Sequence, residues 1–145
     1  GMRVGELLAL TRFNLDLENW VITGGIKTDA GRDRPVPVHP KIRKYITHWV
    51  NHPGRRLIHR DGNPISVDYY RKSIFYPELD RLEINRKDRK LTPHSTRHTF
   101  ATMLDKAGAK TTAIQNLLGH ADYSTTANTY THQDFSELWE AINLI

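Results

Sequence analysis

Apolar residues fall at helical spacing from the start of the chain. Val4, Leu7, Leu8 and Leu10 define one side of a helix predicted over residues 2–11. The period then changes to two. Phe13-Asn14-Leu15-Asp16-Leu17 alternates like a short strand and Trp20-Val21-Ile22-Thr23 like a second, while Asp29-Ala30-Gly31 signals a turn. Arg34-Pro35-Val36-Pro37-Val38 resumes as an extended segment whose prolines favour the edge of a sheet. A hairpin at residues 24–33 joins these strands and carries Lys27 at or beside its tip. Helical spacing returns after His39-Pro40, with Ile42, Tyr45, Ile46 and Trp49 on one face, and Leu57-Ile58 reads as a brief strand in the loop that follows.

Ser66 is the predicted cap of a helix running to about Leu82, which Pro77 should kink or split. Thr92-Pro93 starts another helix, closed by Gly108. Further helices fit residues 111–118, 124–130 and 135–144. The expected fold is mainly α with a small antiparallel three-stranded sheet. Helical spacing begins with no capping residue or turn before it, so the chain reads as a piece of a larger domain.

Charge sharpens this picture. Residues 1–97 hold 19 Lys and Arg against 11 Asp and Glu, a net of +8, while residues 98–145 hold 2 against 5, a net of −3. A basic front two-thirds suits a polyanion, because neutralising phosphates releases counterions. There are no cysteines, which excludes disulfides and thiolate zinc sites and leaves an intracellular, cytoplasmic protein as the expectation. No apolar run approaches the ~20 residues of a membrane span.

The candidate chemistry lies in a few polar positions. His94 and Arg97 are three apart on a predicted helix, so they share a face near its N-terminus, where free N–H groups favour an anion. Arginine offers a planar fork matched to phosphate oxygens, and histidine exchanges a proton near neutrality. His98 completes an i, i+4 pair with His94. Ser95 and Arg97 between them argue against a metal, for which His120 would be the obvious third ligand, and His98 is expected to be buried and hydrogen-bonded. Leu117-Leu118-Gly119-His120 reads as a glycine-capped helix end presenting His120. Tyr130 follows ten residues on; a phenoxide is both a nucleophile and a tolerable leaving group, so its reaction is readily reversed. Arg3 precedes Glu6 by three residues, a spacing that lets the carboxylate orient the guanidinium. Lys27 could donate a proton to a departing 5′ oxygen.

Together, Met2-Arg3-Val4-Gly5-Glu6-Leu7-Leu8, Lys27-Thr28, His94-Ser95-Thr96-Arg97-His98-Thr99-Phe100, Leu117-Leu118-Gly119-His120 and Thr129-Tyr130-Thr131-His132 resemble the tyrosine recombinases, or phage integrases, in family order over nearly the whole chain. Thr96 stands where that family more often has leucine. The resemblance implies a site-specific DNA recombinase that cleaves and rejoins strands through a covalent 3′-phosphotyrosine intermediate, without cofactor, metal or ATP. It implies that Arg3 and Arg97 clamp the phosphate and that Lys27 is the general acid. His94 would transfer a proton, His120 would support phosphate and nucleophile, and Tyr130 would be the nucleophile, with Glu6 buttressing Arg3 and His98 in support. It also implies double-stranded DNA as partner, with the protein nucleoid-associated when bound. A tetramer would form on that DNA, with the tail from Phe135 to Ile145 docking in cis or on a neighbour. Family members carry further helices before the first arginine and a separate N-terminal DNA-binding domain, and the resemblance implies that both are absent from this stretch of sequence.

Overall fold

The computed structural model describes residues 1–24, 33–85, 87–119 and 132–145. Lys27 with its turn signal, His120, Tyr130 and the helix expected over 124–130 lie outside the described residues. Helix α1 spans Val4–Ala9, followed by a single 3-10 turn at Arg12–Asn14. Strands β1 (Leu15–Asp16), β2 (Val21–Gly24) and β3 (Arg34–Pro37) form an antiparallel sheet in the order β1-β2-β3. Ile22 pairs with Val36 and Gly24 with Arg34. The two prolines do sit on an edge strand, where missing N–H groups cost no ladder bonds. Gly24 brings β2 close to the start of the chain, since a Cβ there would lie 2.5 Å from Met2 Cε.

Helix α2 (Pro40–Asn51) is capped by His39, whose Nδ1 accepts the Lys41 N–H at 3.0 Å. Its inward face differs from the expected one. Ile46, Trp49 and Val50 pack on the core, whereas Ile42 and Tyr45 are exposed. The stripe that the spacing defined is wider than the contact with the core. Leu57 is buried and donates its N–H to Leu10 O at 2.7 Å, but it belongs to no strand; the second hairpin lies just beyond, β4 (His59–Arg60) with β5 (Asn63–Pro64).

Ser66 Oγ accepts the Tyr69 N–H at 3.1 Å and opens α3 (Val67–Tyr69). The backbone then widens into a π-helical stretch, Tyr70–Phe75, before α4 (Tyr76–Arg81). Pro77 has no N–H for the ordinary i→i−4 bond, and this widening absorbs its presence without ending the helix. Helix α5 (Pro93–Lys106) ends with Gly108 at φ +83°, and α6 (Thr111–Leu118) with Gly119 at φ +66°, both left-handed exits that suit glycine.

Helix α7 (His132–Asn143) lies against α6 and β3 of its own chain, burying Leu138, Ala141 and Ile142. Arg43 of α2 sits 4.8 Å from the Trp20 ring centroid and 5.9 Å from that of Trp139, so one guanidinium bridges the sheet, α2 and α7. The core is continuous from Leu10, Ile22, Val36 and Val38 through Leu104, Ile114 and Leu117 to Leu138.

Candidate active site

Arg97 lies on the inner face of α5, one turn beyond its start. Pro93 opens that helix, and the Thr92 N–H is taken up by Ser95 Oγ at 3.1 Å. Only 4% of Arg97 is exposed. Its Nη1 donates to Gly1 O at 2.8 Å and its Nη2 to Leu118 O. Burial, and then the charges of Arg3 and Arg34, lower its pKa to about 10, so it remains cationic at neutral pH.

Arg3 arrives from the other end of the sequence. Its backbone N–H donates to Glu6 Oε2 at 3.0 Å and its Nη1 to Glu6 Oε1 at 2.9 Å, which fixes the guanidinium against the first turn of α1. The expected Arg3–Glu6 pair is therefore present, but it is no surface pair, since Glu6 is buried at 3% exposure. Burial alone would raise the Glu6 carboxyl. The hydrogen bond from Arg34, joined by those from Arg3, outweighs it and brings the pKa down to about 2.

Arg34 is the site residue that the sequence reading did not single out. It is wholly buried and donates from Nη2 to Glu6 Oε2 at 2.9 Å and from Nε to Leu117 O at 3.1 Å. A signal was available: the period of two along Arg34-Pro35-Val36-Pro37-Val38 places Arg34 on the face of Val36 and Val38, both core residues. Glu6 thus stands among three guanidiniums, those of Arg3, Arg34 and Arg97. One carboxylate cannot balance three cations, so the cluster has a standing attraction for an anion.

His94 is exposed on α5, one turn before Arg97, and its pKa is lowered by partial burial and then by His98, Arg97 and Arg3. At neutral pH its imidazole is unprotonated and able to accept a proton. The His98 ring meets it edge-on, with centroids 4.8 Å apart. The expectation of a buried His98 fails. One residue past Arg97 the helix has turned about 100° away from the core, so His98 faces solvent. Among the described residues no group of three or more His, Cys, Asp or Glu could hold a metal.

The structure therefore brings Arg3, Glu6, His94 and Arg97 into one neighbourhood, with His98 at its outer side. Lys27, His120 and Tyr130 are outside the described residues, but the flanking elements are defined. Lys27 belongs to the connection between β2 and β3, and His120 follows Gly119 at the end of α6. Tyr130 stands two residues before α7.

A helical scaffold with a small sheet thus carries buried arginines around one carboxylate, with a histidine beside them. The chain belongs to the phage integrase family, whose model matches residues 1–137. The curated relatives it resembles are tyrosine recombinases. XerD of Staphylococcus aureus is 32% identical, over 99% of this chain and 50% of that protein. XerC of Chlamydia pneumoniae is 30% identical, over 87% of this chain and 41% of that protein. This chain thus spans half or less of the length of those relatives. Among solved structures, the XerA recombinase superposes with a TM-score of 0.71 at 26% identity, covering 96% of this chain and 52% of XerA. The Tn1549 transposon integrase in complex with circular intermediate DNA superposes with a TM-score of 0.68, covering 94% of this chain and 52% of that one; at 23% identity it bears on the fold.

Proposed function

We propose that this chain is the catalytic part of a site-specific DNA recombinase that cuts and rejoins double-stranded DNA through Tyr130. The observation that carries the reading is the meeting of Arg3 and Arg97, 94 positions apart in sequence, around Glu6 with neutral His94 beside them. In the proposed reaction the Tyr130 oxygen attacks the scissile phosphorus, the P–O5′ bond breaks, and a 3′-phosphotyrosine forms. His94 accepts the phenolic proton, and Lys27 gives one to the departing 5′ oxygen. Arg3 and Arg97 hold the charge that builds on the non-bridging oxygens, a role worth several kcal/mol per donor in a preorganised site. His120, following the capped end of α6, adds a further donor to phosphate and nucleophile.

One ester replaces another, so bond energy is retained and neither ATP nor a metal enters the scheme. Family relationship also supports a tetramer on DNA, and a cytoplasmic, nucleoid-bound place of action. The tail from Phe135 to Ile145 packs on its own chain; docking on a neighbouring protomer is part of the proposal. The test uses the full-length parent on a nicked suicide duplex taken from its own element ends. The wild type should give a covalent adduct on denaturing gels. Tyr130→Phe should give none while holding the duplex with little change in affinity. An adduct from the phenylalanine variant would remove Tyr130 as nucleophile.

A further inference from the structure

Arg34 has none of its surface exposed, and the reaction scheme assigns it no part. Burying a guanidinium is costly unless its N–H groups are matched, and an apolar residue would suit that strand position equally well. What Arg34 touches is specific. From β3 it reaches Glu6, 28 positions away, and Leu117 O, 83 positions away. Arg97 takes the next carbonyl, Leu118 O. The last carbonyls of a helix have no partner within it, and at α6 two arginines hold successive ones immediately before Gly119 and His120.

We infer that Arg34 is a positioning residue for strand cleavage: through Glu6 it fixes the aim of Arg3, and through Leu117 O it sets the end of α6 from which His120 follows. Arg34 does not itself meet the phosphate. Its planar fork reaches two acceptors on different elements, which a lysine ammonium on one flexible stem cannot reproduce. The inference rests on the recombinase reading for its kinetic consequence, whereas its effect on Glu6 stands independently. Glu6 is faced by Arg3 ahead of α1, Arg34 from β3 and Arg97 from α5. With Arg34 gone, burial should prevail and the Glu6 carboxyl should titrate far higher.

The test compares the full-length parent with its Arg34→Met and Arg34→Lys variants by two readouts. The first is single-turnover adduct formation on the suicide duplex at saturating protein. Arg34→Met should react at least about tenfold more slowly, with duplex affinity changed by less than about threefold. The loss should deepen as the pH is lowered from 7 to about 5, because Glu6 then takes a proton and releases Arg3. Arg34→Lys should recover part of the rate. The second readout is the Glu6 carboxyl followed by 13C NMR, near 2 in the wild type, far higher in Arg34→Met and intermediate in Arg34→Lys.

A folded Arg34→Met that cleaves at the wild-type rate would overturn the inference. An unmoved Glu6 titration would do the same, as would equal losses in rate and affinity. Should Arg34→Met fail to fold, Arg34→Lys carries both readouts. A wild-type parent that makes no adduct would count against the recombinase reading instead, and the Glu6 titration would still decide whether Arg34 governs that carboxylate.

Discussion

His94 and Arg97 are separated by three positions, and burial gives them opposite tasks. Arg97 is enclosed and keeps its charge, because its ordinary pKa is so high that a fall to about 10 leaves it protonated. His94 starts near neutrality, and burial with the neighbouring charges of His98, Arg97 and Arg3 pushes it down, which favours the unprotonated imidazole at physiological pH. In the proposed reaction, protonation of His94 would remove the acceptor for the Tyr130 proton, so the cleavage rate should fall on the acid side through a pKa below 6.5. His98, second to burial among the causes of that shift, should act through charge alone. His98→Gln is expected to move the acid limb upward with little change in the plateau rate. A pH–rate profile of adduct formation checks this, and an unmoved limb would remove His98 from the electrostatics of the site. These local pairings were legible in the sequence because they depend on i, i+3 and i, i+4 spacing. For Arg34 the period of two reports an inward face, but its partners lie 28 and 83 positions away and no local period reports them.

Elements were readable wherever a cap or a period marked them. Thr92-Pro93, Gly108 and Gly119 delimit α5 and α6 as expected, and Ser66 does open its helix. Discrepancies arise where tertiary packing chooses among equivalent local options. The α2 stripe was correct as amphipathic pattern, yet the core accepts Ile46 and Trp49 and leaves Ile42 and Tyr45 outside. Likewise Leu57 is buried through a backbone bond to Leu10, with no strand needed to place it. Helix α7 shows how far an element at the end of the sequence is integrated in the core. Leu138 is 1% exposed among α6 and β3 neighbours, so Leu138→Ala should cost about 3 kcal/mol through lost burial and an unfilled cavity. Urea unfolding of this chain measures it. A cost under about 1 kcal/mol would show that α7 is only loosely seated in solution.

Across the molecule, charge is sorted along with chemistry. The basic excess of residues 1–97 includes Lys87, Arg89 and Lys90, all exposed on the turn leading to α5 and hence to His94 and Arg97. If that turn follows a DNA backbone, replacing all three by alanine should weaken duplex binding at low salt. It should also reduce the slope of log affinity against log salt by up to about 3, roughly one for each phosphate no longer neutralised. Fluorescence anisotropy over a salt series provides the measurement, and an unaltered slope would place the turn away from DNA.

The hydrogen bonds of Arg97 carry a consequence at this same scale. Two arms of its guanidinium are tied to the carbonyls of Gly1 and Leu118, so one side chain fastens the segment ahead of α1 to the end of α6. In the proposed reaction, a phosphate arriving at the remaining edge of that guanidinium would meet a structural clasp as well as a charge. Linkage would then make the effect mutual: whatever steadies the clasp would tighten the grip on phosphate, and a bound phosphate would steady the fold in return. Under the proposed recombinase reading, affinity for a DNA phosphate and conformational stability would be two readings of one equilibrium.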